Sequence, residues 1–252
     1  MKYILMPLHL LYKLYVGFIF WVTLFLLYPF FKLFLSKRRW YPKAFQLKRI
    51  WSKSFQFLLF CPVSITWKAK LPEPPYIICS NHSSYLDIVL FYSVFSDYFL
   101  FIGKGELLNW PLFKMFFKKM DIPVNRENFT QAYVAYSRAG AALDLGHCIA
   151  IFPEGTIPRD APKMKGFKNG AFKLALEKNV PVIPVTWTNN YRRFGEPSDL
   201  WSGGHPGISK VVVHEAIYPA NFQKEDLIPL RNKVFKEIDS ALAPKYQKHH
   251  EN

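Results

Sequence analysis

From Pro62 onward, short apolar runs alternate with segments of helical period, and few folds accept that pattern. Strands are expected over Val63–Ala69, Tyr76–Cys79, Tyr98–Ile102, Ile122–Val124, Cys148–Phe152, Val182–Thr188 and Lys210–Ile217. Between and after them, apolar residues recur three and four apart, predicting helices over Ser84–Phe95, Glu106–Lys119, Thr130–Leu145, Gly170–Lys178 and Lys224–Ala241. Gly146 is placed to end the third of these in a left-handed cap. Strand and helix in turn predict one α/β domain with a mixed, largely parallel sheet flanked by helices. The Gly-rich stretch Ser198–Gly207 reads as a loop, and the polar tail from Lys245 as frayed.

The first sixty residues read differently. Leu14 to Phe31 is eighteen residues without a charge. As a helix it covers roughly 27 Å, close to the hydrocarbon thickness of a bilayer, and Pro29 permits a kink near its end. Small residues suited to signal cleavage are absent around it. A basic cluster follows, Lys32, Lys37, Arg38, Arg39 and Lys43, and then Ala44 to Phe60, where Phe45, Leu47, Ile50, Trp51, Phe55 and Leu58 recur at helical spacing among cations. That second stretch reads as an amphipathic, interface-lying helix. Residues 1–61 are therefore expected to form a two-helix membrane anchor ahead of a domain over 62–252. Length alone fits either a true crossing or a shallow anchor.

Charge points the same way. The chain carries +15 in all, yet no Asp or Glu precedes Glu73, while residues 1–72 hold twelve Lys and Arg. Cations that flank long apolar runs suit anionic lipid. A nucleic-acid groove would set them in a polar, aromatic-interleaved stripe, so nucleic acid is not expected as a partner. Cys61, Cys79 and Cys148 are far apart and lack disulfide-framework or zinc-ligand spacing, so they read as core filler.

Chemistry concentrates just after two of the expected strands. Asn81-His82-Ser83-Ser84-Tyr85-Leu86-Asp87 follows the run ending at Cys79. Residues five apart on a helix stand roughly 140° apart, so His82 and Asp87 can meet only with His82 on the turn and Asp87 in the first helical turn. The carboxylate would then fix the imidazole tautomer and leave the other nitrogen basic. Ser84-x-x-Asp87 also fits a capping box, which needs no chemistry, and Ser83 and Ser84 suit caps better than nucleophiles. A second run, Phe152-Pro153-Glu154-Gly155-Thr156, also follows a strand, so both can end on one sheet edge, where α/β sites gather. Glu154 could accept from an alcohol, and Gly155 allows close backbone approach. The plain alternative is a turn with a paired Glu. Between the two runs, Arg126 in Ile122-Pro123-Val124-Asn125-Arg126 offers a planar fork suited to phosphate, and Lys104 is a second cationic candidate.

In this order the runs resemble the lysophosphatidic acid acyltransferase family, over roughly Pro75 to Thr188. The resemblance implies His82 and Asp87 as the catalytic block, Arg126 (with Lys104 beside it) as the phosphate-binding block, and Glu154, Gly155 and Thr156 as the acceptor-binding block. Val180-Pro181-Val182-Ile183-Pro184-Val185 resembles the family's acyl-side block. It further implies acyl transfer from acyl-CoA or acyl carrier protein to the sn-2 hydroxyl of 1-acylglycerol-3-phosphate, giving phosphatidic acid, with no cofactor and no metal. Location at a bacterial inner membrane, domain on the cytoplasmic face, follows from the same resemblance and the basic cluster. Two departures stand out: Ile157 where the family often has Arg, with Arg159 two positions on, and Asn125 where an acidic residue is common. The alternatives are an acyltransferase for another lyso-lipid and a non-catalytic lipid-binding protein of the same fold.

Overall fold

The structure is a computed structural model, described for residues 2–109, 111–125, 128–196, 199, 202–223 and 226–248. Its strands are β1 (Val63–Trp67), β2 (Ile77–Ser80), β3 (Phe99–Lys104), β4 (Ile122–Val124), β5 (Cys148–Ile151), β6 (Val182–Trp187) and β7 (Ser209–Val213). Its helices are α1 (Lys2–Phe34), α2 (Tyr41–Leu58), α3 (Leu86–Val94), α4 (Pro111–Lys119), α5 (Phe129–Asp144), α6 (Gly170–Lys178), α7 (Asn190–Arg193) and α8 (Leu227–Ser240). Each expected strand is present. The helix expected from Glu106 breaks at Pro111: a 3₁₀ segment spans Gly105–Asn109, and the α-helix starts anew with proline in its first turn, where a missing N–H costs nothing. Gly146 has φ +79°, as a left-handed cap requires.

The strands form one seven-stranded sheet in the order β1-β7-β6-β2-β5-β3-β4. Neighbours run parallel except β6 and β7, which are antiparallel. The sheet is thus mixed and largely parallel. Alternate residues feed opposite faces. Ile78 and Ala150 join a core with α1, α2 and α3, while Ile77 and Ile149 join one with α5, α6 and α8. β6 is buried along its whole length, which gives Val182–Val185 a place in the middle of the sheet. An apolar cavity of about 260 Å³ lies on the α5 and α6 face, bordered by Ile77, Ala135, Ala139 and Leu174.

The N-terminal helices pack into the first of these cores. Val16, Leu24 and Phe31, spaced about two turns apart, bury one stripe of α1. Trp51 Nε1 donates to Thr23 Oγ1 at 2.8 Å, and Tyr12 and Tyr15 donate their hydroxyls to the carbonyls of Leu59 and Leu58. From Leu11 to Phe30 the opposite stripe of α1 faces outward and is apolar: Leu11 is 65%, Phe18 65% and Phe25 70% exposed, with Leu14, Leu26 and Phe30 alongside, before exposed Lys32. Met6–Phe34 is long and apolar enough to cross a membrane by length and composition. Its exposed stripe is what a lipid-facing helix presents.

α2 behaves otherwise. Its stripe of Phe45, Trp51 and Phe55 is buried, with Phe45 against Tyr92 and Phe99, and of its large apolar residues only Ile50 and Phe57 are exposed. Periodicity found the stripe, but the stripe meets protein. Lys48 is buried with it. Its ammonium donates to Asp121 Oδ2 at 2.7 Å and to the Tyr92 hydroxyl at 2.9 Å, and lies over the Tyr92 and Phe116 rings. Asp121 Oδ1 accepts from Phe101 N. One charge pair therefore ties α2 to α3 and to the start of β4. Burial pulls the Lys48 ammonium down, and Asp121 pulls it back.

Candidate active site

Parallel strands send their C-terminal ends to one edge of the sheet, and the chemistry-bearing runs all leave from that edge. Along the order β2-β5-β3-β4, the exits carry the His82 loop, the Glu154 loop, Lys104 and Asn125. Arg126, next in sequence, lies outside the described residues.

His82 stands on the turn between β2 and α3. Its Nδ1 lies 3.1 Å from Asp87 Oδ2, and Asp87 is fully buried. The same Oδ2 accepts from the amides of Ser83 at 2.7 Å and Ser84 at 2.9 Å. The capping reading and the catalytic reading of Asp87 are thus one arrangement: the carboxylate that reaches back to loop amides also grips the imidazole. With Oδ2 accepting throughout, Nδ1 carries a proton, and in the neutral ring Nε2 then keeps its lone pair. The imidazole stacks on Phe152, ring centres 4.0 Å apart and planes 13° apart, so it is held from one face as well as one edge.

Two of the holding groups, Asn190 and Asn81, gave no sign in the sequence. Asn190, on the short α7, donates from Nδ2 to Asp87 Oδ1 at 2.7 Å, and its Oδ1 accepts from Ser209 Oγ. Asn81 brackets the main chain of Trp187, accepting from its amide at 2.7 Å and donating to its carbonyl at 3.0 Å, which pins the β2 exit to the end of β6. Ser84 Oγ donates to the Phe194 carbonyl at 2.6 Å and accepts from Leu86 N. The oxygen accepts as a cap does, and the proton is committed to a carbonyl and not to a base.

Glu154 is buried beside this turn. Oε1 accepts from the His82 amide at 2.8 Å and Oε2 from the Lys165 amide at 2.7 Å. Burial pushes its carboxyl up to about 7, against the pull of those two amides. Gly155 has φ +84° and donates its N–H to the Phe152 carbonyl at 3.0 Å, so the turn itself needs glycine there. Thr156 is exposed. Lys104 pairs with Glu106 at 2.7 Å on an exposed stretch at the end of β3. The structure thus brings His82, Asp87 and Glu154 together and leaves Lys104 at the rim. Among the described residues, no group of three or more His, Cys, Asp or Glu is placed to hold a metal ion.

Known proteins resemble this chain in sequence and in fold. A family model described as acyltransferase covers residues 62–188. A 1-acyl-sn-glycerol-3-phosphate acyltransferase of Chlamydomonas reinhardtii is 33% identical over 64% of this chain and 48% of its own length. A chloroplastic one of Brassica napus is 28% identical over 84% and 60%, and one of Borreliella burgdorferi 27% over 78% and 80%. The chain thus spans about half to three fifths of the algal and plant relatives and about four fifths of the bacterial one. The crystal structure of the 1-acyl-sn-glycerophosphate acyltransferase PlsC from Thermotoga maritima superposes with a TM-score of 0.74 at 26% identity, covering 94% of this chain and 95% of that one. From the family match and the shared fold, the chain belongs to the acyltransferase family.

Proposed function

We propose that the chain transfers a fatty acyl group from a thioester to the sn-2 hydroxyl of 1-acylglycerol-3-phosphate, giving phosphatidic acid. The observation that carries this reading is the His82 ring, with Nδ1 held by buried Asp87 and Nε2 left basic. Nε2 takes the proton of the acceptor hydroxyl as its oxygen attacks the thioester carbonyl. The tetrahedral intermediate collapses, the C–S bond breaks, and the leaving thiolate receives the proton from the imidazolium. Asp87 stabilises that imidazolium and fixes the ring. Arg126, with Lys104 nearby, is assigned to the acceptor phosphate, and Gly155 and Thr156 to the glycerol side. The donor is acyl-CoA or acyl carrier protein.

Membrane association supplies both lipid substrates. The exposed stripe of α1 would rest in the acyl region, with Lys37, Arg38, Arg39 and Lys43 at the headgroups. If α1 crosses the bilayer, that cluster after it puts the site on the cytoplasmic side, and in a bacterium the membrane is the inner one. The test is the purified full chain in vesicles, given lysophosphatidate with each donor, with product read by mass. Phosphatidate formation is expected, with Arg126→Ala raising KM for the acceptor. Turnover of a different lyso-lipid alone, or no thioester consumption with any acceptor, would replace this reading.

A further inference from the structure

Glu154 was assigned above, by resemblance, to the acceptor. Its surroundings give it other work. Both carboxylate oxygens face backbone amides, Oε1 that of His82 at 2.8 Å and Oε2 that of Lys165 at 2.7 Å, and the residue is 4% exposed. At that exposure little of the carboxylate is open to a substrate hydroxyl. It spends an oxygen on the main chain of the proposed base itself.

From this geometry we infer that Glu154 is a positioning residue: a carboxylate strut from β5 to the β2 exit, setting where the His82 ring stands and acting on the reaction only through His82. The adjoining contacts agree. Phe152, two residues before Glu154, carries the stacked His82 ring, and Lys168 N donates to the Pro153 carbonyl at 2.9 Å. The loop that starts at Phe152 thus holds both the ring and the backbone of His82 and is braced from Lys165 and Lys168. Two amides on one carboxyl group also favour the ionised form, because protonation weakens one of the two acceptors. The charged and titratable groups around Glu154 are Asp87, which disfavours that form, and Lys165, which favours it, with the His82 ring adjoining. With burial placing the carboxyl at about 7, the strut weakens as pH falls through that value.

This inference rests on the acyl-transfer reading, so the test separates the two. Wild type, Glu154→Gln, His82→Ala and the double variant are assayed as full chains in vesicles, with lysophosphatidate as acceptor. Glutamine keeps the shape but turns an NH₂ toward one of the two amides. Glu154→Gln is expected to lower kcat by about tenfold to a hundredfold, the usual cost of a misplaced catalytic group, with KM for lysophosphatidate within about twofold of wild type. In the His82→Ala background the same change should move the residual rate by less than about twofold, because residues acting as one unit do not add. Across pH 8 to 6, the acid-side loss of kcat should be shallower in Glu154→Gln than in wild type. A KM effect at unchanged kcat, or equal factors in both backgrounds, overturns the positioning role. Should Glu154→Gln fail to fold, Glu154→Asp, which keeps the charge one methylene short, is put through the same cycle and judged by the same outcomes. Wild type that forms no product with any thioester defeats the acyl-transfer reading instead.

Discussion

Asn190 Nδ2 sits 2.7 Å from Asp87 Oδ1, so the oxygen of Asp87 that does not touch His82 is held by a side chain 103 residues away. Ser209 secures Asn190 in turn. A buried carboxylate with both oxygens occupied cannot rotate away from the imidazole.

Removing that brace should cost both stability and catalysis. Asn190→Ala leaves Asp87 buried with one acceptor unmet, and hydrogen bonds to charged groups are worth about 1.5–3 kcal/mol. The expected outcome is a kcat at least tenfold lower with acceptor KM little changed, read from steady-state rates. A kcat equal to wild type would remove Asn190 from the account.

Much of the fold was open to sequence reasoning, because apolar runs bounded by Pro, Gly and polar turns declare strands whatever lies around them. The His82 and Asp87 pairing was legible as one of two readings, since a spacing of five across a strand-to-helix turn lets the two meet while Asp87 also fits a capping box. Asn190 and Asn81 were not. Each partner lies more than a hundred residues off, and an isolated Asn carries no period. The α2 stripe shows the other gap, for periodicity does not say whether an apolar face meets lipid or protein. Glu154 was found by its position after a strand, but the two amides that face it depend on how β2 and β5 lie side by side.

The ion pair between Lys48 and Asp121 should behave as buried pairs do. Lys48→Ala strands a buried carboxylate and should destabilise the chain by about 3–5 kcal/mol. Lys48→Met with Asp121→Asn keeps an acceptor for Phe101 N and removes both charges, so much of the loss should return. Denaturant midpoints in detergent check this. A double variant no more stable than Lys48→Ala would contradict it.

Buried His214 makes a pH-dependent contribution to stability. Thr186 Oγ1 donates to the Ile238 carbonyl, so the hydroxyl accepts from His214 Nε2 at 2.9 Å, and neutral His214 fills the site. Burial, with Lys68 adding to it, pushes its pKa down to about 4, and Glu237 lies 3.8 Å from Nδ1. The unfolded chain takes this proton near pH 6.5 while the native one does not, so the stabilisation is complete above 6.5. It is lost as pH falls toward 4, by roughly 3 kcal/mol. Glu154, whose native carboxyl is raised, works with the opposite sign over much of the same window. The readout is therefore the difference between wild type and His214→Gln, which should narrow by roughly that amount between pH 7 and 4. Parallel stability curves would contradict it.

The outward stripe of α1 should govern lipid binding. Phe18→Glu with Phe25→Glu touches the exposed face and leaves Val16, Leu24 and Phe31 in place. Binding to anionic vesicles in a flotation assay should fall at least tenfold, each phenylalanine side chain carrying about 1.5–3 kcal/mol of burial. Turnover of short-chain, micelle-free substrates should change far less. Full retention on vesicles would show that the membrane contact lies elsewhere.

The most direct measurement is the rate of phosphatidate formation by purified His82→Ala, alongside its circular dichroism spectrum and thermal midpoint. Loss of at least a thousandfold in kcat, with the spectrum and midpoint unchanged, is expected of a missing general base in a folded enzyme. A folded His82→Ala protein that turns over within tenfold of wild type would mean that the imidazole beside Asp87 does not do the chemistry.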